Sequence, residues 1–219
     1  STCGSGGSLL WSGCLVDSPA VPNDVCSKCA EPLEKPGICT RCVIERSSLD
    51  RMCGSYLYES PTRPAVLAFK LDDVRALGSV LCGMFNTEPM ISAEPDIAVT
   101  VPMHKSRVRE RGYNQSAILA QKLSYPLGVE YRGDLSFRSI NTVSQPEQPT
   151  AVVRRGALSG VFAEELKSVG AIVGRRILVV DDVFTTGSSL NAVSATLKST
   201  QASWVGGAAR TLQPIGEFN

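Results

Sequence analysis

The run Ile177-Leu178-Val179-Val180 passes without a break into Asp181-Asp182, then into small hydroxyl residues around one glycine, Thr185-Thr186-Gly187-Ser188-Ser189. A continuous apolar run rich in β-branched residues reads as a strand buried on both faces, as the strands of parallel sheets are. The residues after the turn set Leu190, Val193 and Leu197 on one face at helical spacing. A strand, a tight turn and an amphipathic helix in that order require covered sheet faces, which makes this an α/β chain with a mostly parallel sheet flanked by helices.

The remaining pattern agrees. Ile97 to Val101 is a β-branched run stopped by Pro102, and Val205 to Ala209 is the expected next strand. Asn114 to Leu123 reads as a helix closed off by Pro126 and Gly128. Ala65 to Phe69, then Leu77, Val80, Leu81, Met84 and Phe85, recur at helical spacing, giving one or two amphipathic helices broken near Asp72-Asp73. Arg138 to Gly160 is polar, carries Pro146 and Pro149, and reads as a long mobile loop of the kind that serves as a lid.

The strand-to-helix turn described above has the chemistry of a phosphate cradle. Ligands of open parallel sheets bind beyond the carboxyl ends of the strands. There the helix start offers free N–H groups and a positive dipole end, Thr185, Thr186, Ser188 and Ser189 add hydroxyl donors, and Gly187 permits close backbone approach. Asp181 and Asp182 would repel a phosphate, but they can accept hydrogen bonds from the hydroxyls of an attached sugar. A ribose 5-phosphate fits that description, and the bland alternative is a strand followed by a capped helix start. The chain lacks both the Gly-x-x-x-x-Gly-Lys-Ser/Thr loop and the Gly-x-Gly-x-x-Gly turn of other nucleotide binders.

Seven of the eight cysteines fall in the first quarter of the 219 residues, and the formal net charge is only +1. The first observation marks a separate N-terminal module. The second excludes a globally basic coat for nucleic acid, so such contact needs a local patch. Cys26-x-x-Cys29 and Cys39-x-x-Cys42, nine residues apart, can set four thiolates around zinc. The metal would supply folding energy that so short a Pro- and Cys-rich stretch lacks. Redox chemistry is the competing reading of a single Cys-x-x-Cys, but two on short loops favour a structural, coordinatively closed zinc. No apolar stretch is long enough to span a bilayer, so the expectation is a cytoplasmic protein without membrane insertion. The Ser- and Gly-rich first residues read as a flexible tail, and a chain beginning at Ser1 leaves a missing leader open.

Four apolar residues, Asp-Asp, two residues and Thr-Thr-Gly together resemble the phosphoribosyl diphosphate (PRPP) motif of type I phosphoribosyltransferases. Val101-Pro-Met-His-Lys-Ser-Arg-Val-Arg-Glu-Arg-Gly-Tyr-Asn-Gln-Ser116 resembles the stretch that marks ComF-type competence proteins, a branch of that superfamily. The likeness spans nearly the whole chain and takes in the cysteine knuckles, Tyr58 and Lys70. It departs at Asp17, where relatives carry a partner thiol for Cys14, and at Ala157, where they usually carry Asn. In the mobile loop Arg138, Thr142, Gln145, Arg154 and Phe162 fit the pattern with one extra residue.

The resemblance implies a four-cysteine zinc module over residues 1–54 and a phosphoribosyltransferase domain over 55–219. It implies PRPP or a ribonucleotide bound with magnesium by Asp181, Asp182, Val183, Phe184, Thr185, Thr186, Gly187, Ser188 and Ser189. The diphosphate would face Met103, His104, Lys105, Ser106 and Arg107, with Asp181, Asp182, Lys105 and Arg107 as the catalytic set. Lys105 and Arg107 supply positive charge there. For at least one of Arg107, Arg109 and Arg111 a solvated helix face is the better reading, and the lone His104 reads as a bystander. The resemblance also implies a place in natural transformation with the competence machinery. A weak single-stranded DNA patch on Lys105, Arg107, Arg109 and Arg111, with Tyr113 to stack on a base, is therefore the alternative function. The acceptor, the occurrence of transfer chemistry and the oligomeric state stay open.

Overall fold

A computed structural model of the chain describes residues 18–59, 62–71, 81–103, 108–109, 112–135 and 169–213. Strands β1 (Arg51–Leu57), β2 (Ile97–Thr100), β3 (Glu130–Tyr131), β4 (Arg176–Phe184) and β5 (Trp204–Leu212) form one sheet in the order β1-β5-β4-β2-β3. Every pairing in it is parallel, as the apolar runs require. The helices are α1 (Thr40–Glu45), α2 (Thr62–Leu71), the short α3 (Glu88–Ile91), α4 (Gln115–Leu127) and α5 (Ser188–Ser199).

Each sheet face is covered by its own apolar layer. On one side Ile177, Val179, Val205 and Ala209 pack with Leu190, Val193 and Leu197 of α5. On the other, Leu178, Val180 and Ala208 pack with Phe69 of α2, Leu119, Ala120 and Leu123 of α4, and Leu81, Met84 and Phe85. Gly207 lets two layers approach, because a Cβ there would lie 2.6 Å from the Met52 sulfur. Leu77, Val80, Asp72 and Asp73 lie outside the described residues.

Several elements depart from the sequence pattern. β4 continues four residues past Val180, because Asp181, Val183 and Phe184 pair with Ala209, Thr211 and Leu212 of an equally extended β5. Charge at Asp181 and Asp182 ends the apolar pattern without ending the strand. β1 carries Gly54 and Ser55 and has no clear alternation, so only its partnership with β5 makes it a strand. α4 runs through Pro126 in its last turn and ends at Gly128, whose left-handed φ of 66° lets its N–H reach the carbonyls of Ser124 and Tyr125.

The cysteine segment is less separate than its composition suggests. Cys26, Cys29, Ala30 and Cys42 are buried in the same layer as Ile177 and Val179. The expected division at residues 54 and 55 falls inside β1. Lys28 Nζ holds the carbonyls of Ser47 at 3.1 Å and Leu49 at 2.8 Å, and Asp50 Oδ2 accepts the Val205 N–H at 2.7 Å. No helix among the described residues is long and apolar enough to cross a membrane.

Candidate functional site

At the carboxyl end of the sheet, β4 delivers Asp181 and Asp182 half-buried, then turns through Thr185, Thr186 and Gly187 into α5. Asp181 Oδ1 accepts the Ser116 hydroxyl at 2.9 Å and the Asp182 N–H at 2.9 Å, so this carboxylate is oriented from the first turn of α4. Asp182 Oδ1 accepts the Val183 N–H at 2.8 Å. Phe184 is buried in the core, and its carbonyl accepts the Gln213 N–H at 2.8 Å.

Gly187 is the N-cap of α5, with φ 74° and ψ 1°, a left-handed conformation that glycine adopts at no steric cost. A Cβ there would also lie 2.6 Å from Cζ of Phe184. Thr186 Oγ1 and Ser188 Oγ share a hydrogen at 2.9 Å, and both side chains are exposed beside the helix start. The Gly187 N–H has no acceptor among the described residues. Hydroxyls, unsatisfied N–H groups and a positive helix end thus converge on one exposed turn, which suits a phosphate.

The segment from Gly112 to Ser116 helps to shape this edge. Asn114 caps α4 by accepting the Ser116 N–H at 3.1 Å and donates to the Val101 carbonyl at 3.4 Å, which ties the helix to the end of β2. Tyr113 donates to the Phe69 carbonyl at 2.7 Å and its ring packs 6.0 Å from that of Phe69. The expected stacking residue is therefore seated against α2. Met103 is half-buried just beyond β2 and Arg109 is exposed. His104, Lys105, Ser106, Arg107 and Arg111, and the loop from Arg138 to Gly160, lie outside the described residues.

The four cysteines converge as their spacing predicts: the Sγ atoms of Cys26, Cys29, Cys39 and Cys42 all lie within 4.8 Å of one another, and none is in a disulfide. The Cys39 N–H points at Cys26 Sγ over 3.3 Å and the Cys42 N–H at Cys39 Sγ over 3.4 Å. Burial works to raise Cys26, but N–H bonds from Cys39 and Lys28 outweigh it and bring the thiol down to about 7. Burial pushes Cys29 up to about 11 and raises Cys42 as well, the latter reinforced by neighbouring sulfurs. Without a cation such a cluster cannot hold four thiolates, and a divalent metal reverses that balance. The donor set and its compactness fit a tetrahedral thiophilic metal. Cys53, raised to about 11 by burial, belongs to the opposite layer.

Sequence pattern did not reveal four residues at this edge. Arg41 Nη1 donates to the Thr186 carbonyl at 3.2 Å, so the cysteine segment reaches the turn directly. Asn191 Oδ1 accepts the Ser48 N–H at 2.7 Å. Ser116 holds Asp181. Arg210 is 1% exposed, and its Nε and Nη1 have no hydrogen-bond partner among the described residues. Its Nη2 contacts Met84 Sδ at 3.1 Å, and burial lowers its pKa to about 10. A cation closing the run Val205 to Ala209 was the one visible sign, since it stands where that pattern stops.

A phosphoribosyl transferase domain model matches residues 112–216. The DNA utilization protein YhgH of Escherichia coli K12 is 29% identical over 196 residues, which cover 85% of this chain and 84% of that one. Competence protein F of Haemophilus influenzae is 28% identical over 196 residues, covering 86% and 84%. Competence protein ComFC of Bacillus subtilis is 21% identical over 179 residues, covering 78% and 70%. Among solved structures, a glutamine PRPP amidotransferase from B. subtilis complexed with ADP and GMP aligns over 62% of this chain and 25% of its own, with 19% identity and a TM-score of 0.35. A purine phosphoribosyltransferase from Pyrococcus horikoshii aligns over 72% and 75%, with 16% identity and a TM-score of 0.32.

Proposed function

We propose that this chain, whose residues 112–216 match a phosphoribosyl transferase domain model and which is similar to competence proteins F and ComFC, binds PRPP or a ribonucleotide at the end of β4. The observation that carries this reading is the continuity of β4, the 185–187 turn and α5. Two carboxylates stand in the last half of a buried strand, directly under an exposed helix start rich in N–H and hydroxyl donors. Asp181 and Asp182 would accept hydrogen bonds from the ribose hydroxyls, while Thr185 to Ser189 would hold the 5-phosphate.

Magnesium suits a site of carboxylate and phosphate oxygens, and Asp181 or Asp182 would hold it together with oxygens of the ligand. Bound there, it would neutralise charge developing on a departing diphosphate. If transfer follows binding, an acceptor nucleophile bonds the anomeric carbon as diphosphate leaves it, and Lys105 and Arg107 are the cations this reading assigns to the departing diphosphate. Zinc on Cys26, Cys29, Cys39 and Cys42 is the proposed structural metal, and the residues about 1–54 its module.

Calorimetry with PRPP and magnesium tests the proposal. Wild type should bind, and replacing both Asp181 and Asp182 by Asn should weaken PRPP more than inorganic phosphate. No heat at millimolar ligand overturns it. A second reading, handling of single-stranded DNA, is favoured by the names of the relatives. It is supported if an oligonucleotide binds with affinity that falls steeply with salt, and lost if none binds at low ionic strength.

A further inference from the structure

Arg41 stands between two of the clustered cysteines, in Cys39-Thr40-Arg41-Cys42, yet its guanidinium reaches out of the cluster to the Thr186 carbonyl. Against the lowering by burial, the Cys29 and Cys42 sulfurs and Glu45 raise the pKa of the same guanidinium. One side chain thus lies in the electrostatic field of the cysteine cluster and bonds the turn proposed to hold a phosphate.

A planar trans peptide fixes its carbonyl and the next N–H on opposite sides. A donor that pins the Thr186 carbonyl therefore aims the Gly187 N–H the other way, and that N–H has no acceptor among the described residues. The pinning matters at this peptide in particular, because Gly187 carries no Cβ to restrict its φ and stands as the N-cap of α5. Left unpinned, a Thr-Gly peptide can flip and present its carbonyl oxygen to an anion. Nearby contacts hold the two parts in register: Ser48 N–H and the Ser47 hydroxyl both donate to Asn191 Oδ1, at 2.7 and 3.4 Å.

We propose that Arg41 is a positioning residue for the phosphate turn: it fixes the Thr186–Gly187 peptide with its N–H toward the ligand, and the metal-filled cysteine cluster holds Arg41 in place. The inference rests on the reading of that turn as a phosphate site. Four thiolates around a divalent metal keep a net negative charge, which attracts and orients the guanidinium carried between two of them in sequence. Occupancy of the metal site and of the turn are then coupled, and the coupling is reciprocal.

The test compares full-length wild type with Arg41→Gln, each with zinc content measured and with cobalt substituted for zinc. Ribose 5-phosphate is the probe. Arg41→Gln should keep its metal and fold, bind ribose 5-phosphate about tenfold more weakly, and show a displaced Gly187 amide resonance before any ligand is added. In cobalt-substituted wild type, ribose 5-phosphate should shift the thiolate-to-cobalt charge-transfer band, and in Arg41→Gln the band should stay still. Should Arg41→Gln fail to fold, Arg41→Lys, which keeps the charge but not the planar fork, takes its place, with weaker binding expected. Equal affinity, an unmoved Gly187 amide, or a cobalt band that responds alike in both proteins overturns the proposal. Failure of wild type to bind ribose 5-phosphate sinks the phosphate reading itself, while the amide comparison still decides whether Arg41 sets the peptide.

Discussion

The Ser116 hydroxyl donates a 2.9 Å hydrogen bond to Asp181 Oδ1, joining the first turn of α4 to the C-terminal half of β4. Ser116 is 4% exposed, so water cannot replace it. Ser116→Ala should cost about 1 kcal/mol of stability, the usual net value of such a bond, and more for a charged acceptor. Because Asp181 would then lose the bond that orients it from α4, ribose 5-phosphate should bind several-fold more weakly. Denaturant melts and calorimetry on the same variant check both.

The cysteines share a buried layer with Ile177, Val179 and Val205. Loss of metal is therefore expected to loosen the sheet as well as the knuckles. Cys39→Ser should abolish the roughly one zinc per chain expected of a four-thiolate site, and should lower the melting temperature in a single cooperative transition. A variant that melts in two steps, the second at the wild-type temperature, would show that the segment folds apart from the sheet.

Metal uptake must displace protons, since Cys29 is held up near about 11 and only Cys26 is brought down to about 7. The sign follows: thiolates bind the metal, protons compete for them, and affinity falls as pH falls. Zinc competition assays should show steady weakening from about pH 8 to about pH 6, with proton release on binding. An affinity independent of pH would mean that fewer thiols bind than the geometry brings together.

Gly187→Ala should destabilise the protein by about 1–3 kcal/mol, the cost of placing a side chain at a strained positive φ. Part of that cost is the contact of the new Cβ with the Phe184 ring. Phe184→Leu should recover this part in the double variant, and a double-mutant cycle by chemical denaturation separates the two. Gly187 variants for this reason report on the fold as well as on the phosphate.

Arg210 buries a guanidinium whose Nε and Nη1 have no partner among the described residues. Replacing a poorly compensated buried charge by an apolar side chain of similar length is often neutral or stabilising by about 1–4 kcal/mol. Arg210→Met, beside Met84, should accordingly melt no lower than wild type. A large loss of stability would show that the charge is compensated in solution by a group the described residues do not include.

The strand-turn-helix of residues 177–197 and the two cysteine knuckles were legible in the sequence because both are local. Apolar periodicity, turn chemistry and ligand spacing act over a few residues and need no partner to be read. The same holds for β2 and for α4, whose Asn114 cap and Gly128 stop are written in place. β1 and the last half of β4 were not legible, since Gly54, Ser55, Asp181 and Asp182 break every apolar pattern and become strand only through backbone pairing with β5. Ser116 on Asp181, Arg41 on Thr186 and Asn191 on Ser48 join residues 65, 145 and 143 positions apart. A polar side chain in a sequence carries no mark of the acceptor it will meet across the fold. Composition set the cysteine segment apart; packing of its buried sulfurs against the sheet placed it beside the turn that follows β4.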